Sequence, residues 1–103
     1  MYTESRQPVF KEVTPKEAEL FLAMNNFPGQ RRYNPIKGRT YASNMENGSH
    51  RRVEIAVAKV RENNVQYLMN GQHNCNGILI RQKPYQAVVS YFICDTMEDA
   101  WRL

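Results

Sequence analysis

The stretch from Val65 to Ile80 constrains this chain more than any other. Val65-Gln66-Tyr67-Leu68-Met69 is short, apolar and aromatic, and reads as a β-strand. A polar turn, Asn70-Gly71-Gln72-His73-Asn74, follows it, and beyond the turn an apolar segment through Ile80 resumes at helical spacing. Strand, glycine turn and helix start is the arrangement that aims free backbone N–H groups at an anion. The remaining segments read as support for that turn.

Before the turn, Pro8 to Val13 reads as an opening strand or extended arm. Thr14-Pro15-Lys16-Glu17 predicts a capped helix, with Pro15 at its first position and Glu17 completing a capping box. Its apolar residues run to Met24, and Pro28-Gly29 ends it. A second helix is predicted from Asn34-Pro35, with Ile36, Tyr41, Ala42 and Met45 on one face and a left-handed stop at Asn47-Gly48. Gly38 inside that helix is unfavourable by about 1 kcal/mol relative to Ala, which points to close packing there.

From His50 to Arg61 the period changes to two. Val53, Ile55, Val57 and Lys59 fall on one strand face, and Arg52, Glu54, Ala56, Ala58 and Val60 on the other. Glu62-Asn63-Asn64 makes a hairpin turn into the Val65 strand. After the helix that follows the central turn, Gln86 to Ile93 is apolar enough for a central strand. Thr96-Met97-Glu98-Asp99 then starts a last capped helix that has made barely two turns at Leu103. Such an ending leaves open a truncated helix, a face covered by a partner, or a homodimer through that helix.

At 103 residues the chain has room for one domain, 1–103, with a modest core, and an apolar share of 42% argues against disorder. A formal charge of +4 and a pI near 9.3 favour anionic partners. Cys75 and Cys94 form no disulfide framework and fit no zinc spacing, so both read as small core residues in a reducing cytosol. No apolar run approaches the roughly 18 residues of a membrane span, and the N-terminus has no signal-peptide core. The expectation is a soluble, cytoplasmic chain (host-cell cytoplasm if phage-encoded) with no membrane partner.

The order of helix, basic linker, helix ending in Met45-Glu46-Asn47-Gly48, strand, hairpin, Asn70-Gly71-Gln72-His73 turn and helix resembles the ParB/sulfiredoxin-like fold. More narrowly it is similar to phage and bacterial proteins with an Asp/Asn-Gly-Gln-His-Arg turn. Thr14-Pro15-Lys16-Glu17-Ala18 and Tyr41-Ala42-Ser43-Asn44 strengthen the likeness, which covers about residues 8 to 103. The resemblance implies an α+β domain with a small mixed sheet flanked by helices. It also implies a nucleotide or DNA phosphate held by Asn70, Gly71, Gln72, His73 and Asn74, with CTP or ATP as the candidate nucleotides. Asn74 stands where the family has arginine, which removes a bidentate cationic phosphate ligand. Gln72 stands where sulfiredoxins carry their reactive cysteine, so the resemblance does not extend to sulfinic acid reduction.

Arg31, Arg32, Arg51 and Arg52, with Arg39, Lys59 and Arg61, form a candidate phosphate-tracking or partner-contacting surface, with Tyr33, Tyr41 and His50 placed to stack on bases. Asp95, Glu98 and Asp99 surround the Thr96 cap and read as helix-dipole partners rather than a nuclease cluster. No general base stands beside the turn, and two histidines make no metal site. The function expected is therefore a phage-derived module that binds nucleotide or DNA phosphates without strong catalysis; residual nucleotide hydrolysis or nuclease activity is the enzymatic alternative. The alternative of another class is a small phage inhibitor, anti-CRISPR-like, that binds a host defence protein.

Overall fold

A computed structural model of the chain describes residues 2–4, 8–24, 27–28, 32–50 and 53–102. Among them the elements run β1 (Tyr2–Glu4), β2 (Val9–Val13), α1 (Pro15–Ala23), α2 (Pro35–Glu46), β3 (Glu54–Val60), β4 (Val65–Asn70), α3 (Gln72–Arg81), β5 (Tyr85–Cys94) and α4 (Met97–Trp101). The architecture is α+β, with a mixed sheet in the order β1-β5-β3-β4. β1 and β2 share one edge of β5, each antiparallel to it: Tyr2 lies opposite Cys94, and Val9 to Val13 lie opposite Val89 to Tyr85. β3 runs parallel to β5 along the other edge and antiparallel to β4.

Local chemistry accounts for the element starts. Thr14 and Glu17 form the reciprocal capping box of α1, and Thr96 and Asp99 do the same for α4. The Asn34 side chain accepts from the N–H groups of Ile36 and Lys37 at the head of α2, with Pro35 at the first helical position. Lys11 of β2 and Glu17 of α1 form an ion pair across that corner. α1 ends at Ala23, and β3 begins only at Glu54, later than the two-residue period suggested. β1 had no counterpart in the sequence reading.

The sheet separates two apolar clusters. On one face Ile55, Val57, Leu68, Ala87 and Val89 pack with Ala18, Phe21, Met45, Cys75 and Ile78 from α1, α2 and α3. On the other, Ala58, Val60, Tyr67 and Cys94 pack with Phe27 and with Ala100 of α4. Both faces are therefore partly covered, which is why β3 and β5 are apolar in both phases of their alternation. The pairing of β3 with β4 shifts register between Ala56 and Val57.

Two glycines let backbones meet. At Gly77 an added Cβ would lie 3.3 Å from Ala42 N, Met45 Cε and Tyr41 Cβ, so its bare Cα is the contact between α2 and α3. Gly71 ends β4 with φ of 112°, and a Cβ there would meet Glu54 O and Ile55 Cγ1 at 3.0 Å. Gly48 also has positive φ, 78°, but open space around it.

Replacing Gly71 by Ala therefore combines left-handed strain with a collision against β3 backbone, and is expected to lower stability by about 2–3 kcal/mol. Gly48→Ala carries the strain alone and should lower it by about 1 kcal/mol. Urea denaturation of the two variants measures the difference; equal losses would contradict the backbone contact at Gly71.

Candidate phosphate-facing turn

β4 delivers the chain to Gly71, whose left-handed conformation turns it directly into α3. Gly71 O accepts from Cys75 N–H at 2.8 Å and closes the first turn of the helix. No side chain caps this end, whereas Thr14, Asn34 and Thr96 each cap theirs. The backbone N–H groups at the start of α3 and the positive end of its dipole thus define the polar character of the turn.

Asn74 sits in the first turn of α3 and faces inward. Its Nδ2 donates to Glu54 O at 3.1 Å, and its Oδ1 is 3.0 Å from His50 Nε2. The amide thus joins α3 to the head of β3 and to the segment leaving α2. Tyr85 Oη donates to His50 O at 2.6 Å, extending the connection to β5. Gln72 is buried; Asn70 is exposed at the end of β4.

His73 points toward α2. Its Nε2 accepts the N–H of Asn34 at 3.1 Å, so in the neutral ring the proton resides on Nδ1. The ring stacks on Tyr33 with centroids 5.5 Å apart and 28° between planes, and Tyr41 lies 5.7 Å away on a tilted plane. Tyr41 in turn contacts His50 at 4.9 Å, and His50 contacts Tyr85 at 6.4 Å. Tyr33, Tyr41 and His50, expected from the sequence to offer themselves to bases, are here engaged with one another and with His73. The Tyr33 hydroxyl occupies the space where a side chain at Gly38 would begin, which accounts for the glycine in the middle of α2.

Burial, and then the positive charge of Lys37, hold the His73 imidazole below its ordinary range. Burial pushes the Cys75 thiol up to about 12, so it is a packed core group rather than a nucleophile. Among the described residues no three His, Cys, Asp or Glu side chains gather as a metal site. A hollow of about 340 Å³ lies elsewhere, against β2 and the start of β5, and none of residues 70–74 lines it.

Of the arginines singled out in the sequence, Arg31, Arg51 and Arg52 lie outside the described residues. Arg32 is exposed two residues before the α2 cap, and Lys37 and Arg39 are exposed on α2 itself. Arg61 belongs elsewhere: it follows the far end of β3, roughly 20 Å of strand from Glu54, and pairs with Asp95 at 3.6 Å. Asp99 is used by the Thr96 cap and Glu98 pairs with Arg102 at 2.7 Å. Lys37 was missed in the sequence. Its one signal was its place three residues after a capping Asn, in the first turn of a helix.

Comparison with known proteins identifies no relative: no protein-family profile, curated protein or solved structure matches the chain.

The anchoring role of Asn74 predicts that Asn74→Leu, similar in shape but unable to bond, lowers stability by about 2 kcal/mol because Glu54 O and His50 lose a partner. Thermal or urea unfolding checks it, and a neutral substitution would show that the Asn74 amide holds nothing in place.

Proposed function

We propose that the chain is a ParB/sulfiredoxin-like domain of phage origin that binds phosphate groups, of a nucleotide or of DNA, at the turn between β4 and α3, without strong catalytic activity. The observation that carries this reading is the start of α3: a ten-residue helix with no side-chain cap, beside the head of α2, with His73 between the two and Lys37 close by. Anions are favoured where helix N-termini, an imidazole and an ammonium group converge. The likeness of Asn70-Gly71-Gln72-His73 to the family's turn supports the same placement. Arg32, just before the α2 cap, and Arg39, on α2, add exposed positive charge to this part of the chain.

Weak chemistry follows from the same groups. The accessible lone pair of neutral His73 is taken by the Asn34 N–H, and Cys75 is buried and protonated. Neither is poised as base or nucleophile. Asn74, committed to Glu54 and His50, does not replace the family's arginine as a phosphate ligand.

A protein partner is the second reading, that of a defence inhibitor. It is favoured by the exposure of single large apolar side chains on separate elements, Phe10 (73%) on β2, Ile36 (68%) on α2 and Trp101 (56%) on α4.

Titration with ATP, CTP and duplex DNA at low ionic strength tests the first reading. Binding is expected, DNA affinity should fall steeply as salt is added, and Lys37→Gln should weaken it by roughly three- to tenfold while leaving the unfolding midpoint unchanged. Absence of binding to all three would overturn the phosphate reading.

A further inference from the structure

Between α2 and α3 the protein contains an arrangement that can exist in only one protonation state. Asn34 N–H donates to His73 Nε2 at 3.1 Å. An imidazolium carries N–H on both ring nitrogens and accepts at neither, so after protonation two donors would face each other across that distance. We infer that protonation of His73 releases the head of α2 from the first turn of α3, making this contact an acid-operated latch. The inference does not depend on what, if anything, the turn binds.

What the latch holds makes its release consequential. Asn34 organises the start of α2: its side chain carries the N–H groups of Ile36 and Lys37 at 3.0 and 3.3 Å, and its carbonyl accepts from Gly38 at 3.0 Å. Tyr33, next to it, lies between the His73 ring and the bare Cα of Gly38. Asn34 cannot retreat from His73 without disturbing the Tyr33 stack. Downstream, the Gly77 contact fixes α2 to α3 near Ala42 and Met45, so release concerns the first turns and not the whole helix.

Burial and Lys37 together disfavour the cation of the ring. From α2 and the residues before it come Lys37 and the phenols of Tyr33 and Tyr41. From the segment after α2 comes His50, linked through Tyr41 and Asn74. From β3, Glu54 reaches the neighbouring Asn74 through its carbonyl. Among the described residues Lys37 is the charge that acts on His73, and it repels the imidazolium. Burial and Lys37 together depress the folded-state value. The contribution of the latch is therefore fully present above the unfolded value of about 6.5 and disappears as pH falls from there through the lower folded value.

NMR titration of the full chain from pH 7.5 to 4.5 tests this. The His73 ring resonances and the Asn34 and Gly38 amide shifts should move with one shared midpoint below about 6.5, and exchange protection of those two amides should fall about tenfold while β5 keeps its protection. His73→Gln supplies a neutral carbonyl acceptor and should keep the latch closed throughout the range. Lys37→Gln should shift the midpoint upward. Titration of His73 without any response at Asn34, an unprotonated His73 down to the pH of global unfolding, or the same acid opening in His73→Gln would each overturn the inference.

Discussion

The turn at the centre of this protein depends on one backbone carbonyl. Glu54 O, at the head of β3, lies only 3.0 Å from where a Cβ at position 71 would stand, and it also accepts the amide of Asn74. One acceptor thus fixes both sides of the β4–α3 corner. β3 is in turn held by β5 along one edge and β4 along the other, so the corner inherits the rigidity of the sheet. A displacement of Glu54 would shift the end of β4, the direction of α3 and the His50–Asn74 contact together. Such a site, built from secondary-structure ends and not from a long loop, has few ways to deform.

A second set of contacts, the Tyr and His rings, fills the wedge between α2, α3 and β5. Apolar side chains alone would not suit this place, because the chain enters and leaves α2 here and its polar main-chain groups need partners. The rings supply both area and hydrogen bonds: His73 accepts from Asn34, and Tyr85 donates to His50 O. Gly38 and Gly77 permit the approach, one beneath the Tyr33 hydroxyl and the other at the helix crossing. Arg81 closes the far end, its guanidinium 5.4 Å from the Tyr85 ring centre and bonded to Glu46 of α2 at 2.9 Å.

Much of the fold was legible because its signals are local. Thr14-Pro15-Lys16-Glu17, Asn34-Pro35 and Thr96 to Asp99 announce their helices through capping chemistry, which needs only three or four neighbouring residues. The apolar run of β5 marked a strand paired on both edges. What escaped is non-local or exceptional. β1 is a three-residue strand with too few positions to show a period. The shift at Ala56 and Val57 arises from pairing with β4, and no single strand records its partner's register. The Tyr–His contacts join residues 32 to 40 positions apart, with the exception of Tyr41 and His50, which are nine apart. Lys37 carried only a weak signal as a site residue, its place in a capped first turn, because its importance lies in its electrostatic action on His73 across 36 positions of sequence.

The same distinction sharpens the chemistry of the turn. Gly71 and Asn74, read in the sequence as ligand contacts, have complete structural employment within the chain: one accommodates Glu54 and Ile55, the other bonds Glu54 and His50. An arginine at position 74 could not make the acceptor half of that pairing, since a guanidinium only donates. Asn74 therefore serves as an internal brace between α3, the head of β3 and the segment after α2. Among the described residues, Lys37 on α2 is the charge that acts on His73, which is itself neutral while bonded to Asn34. How closely α2 is held against α3 thus sets the surroundings of both His73 and Lys37.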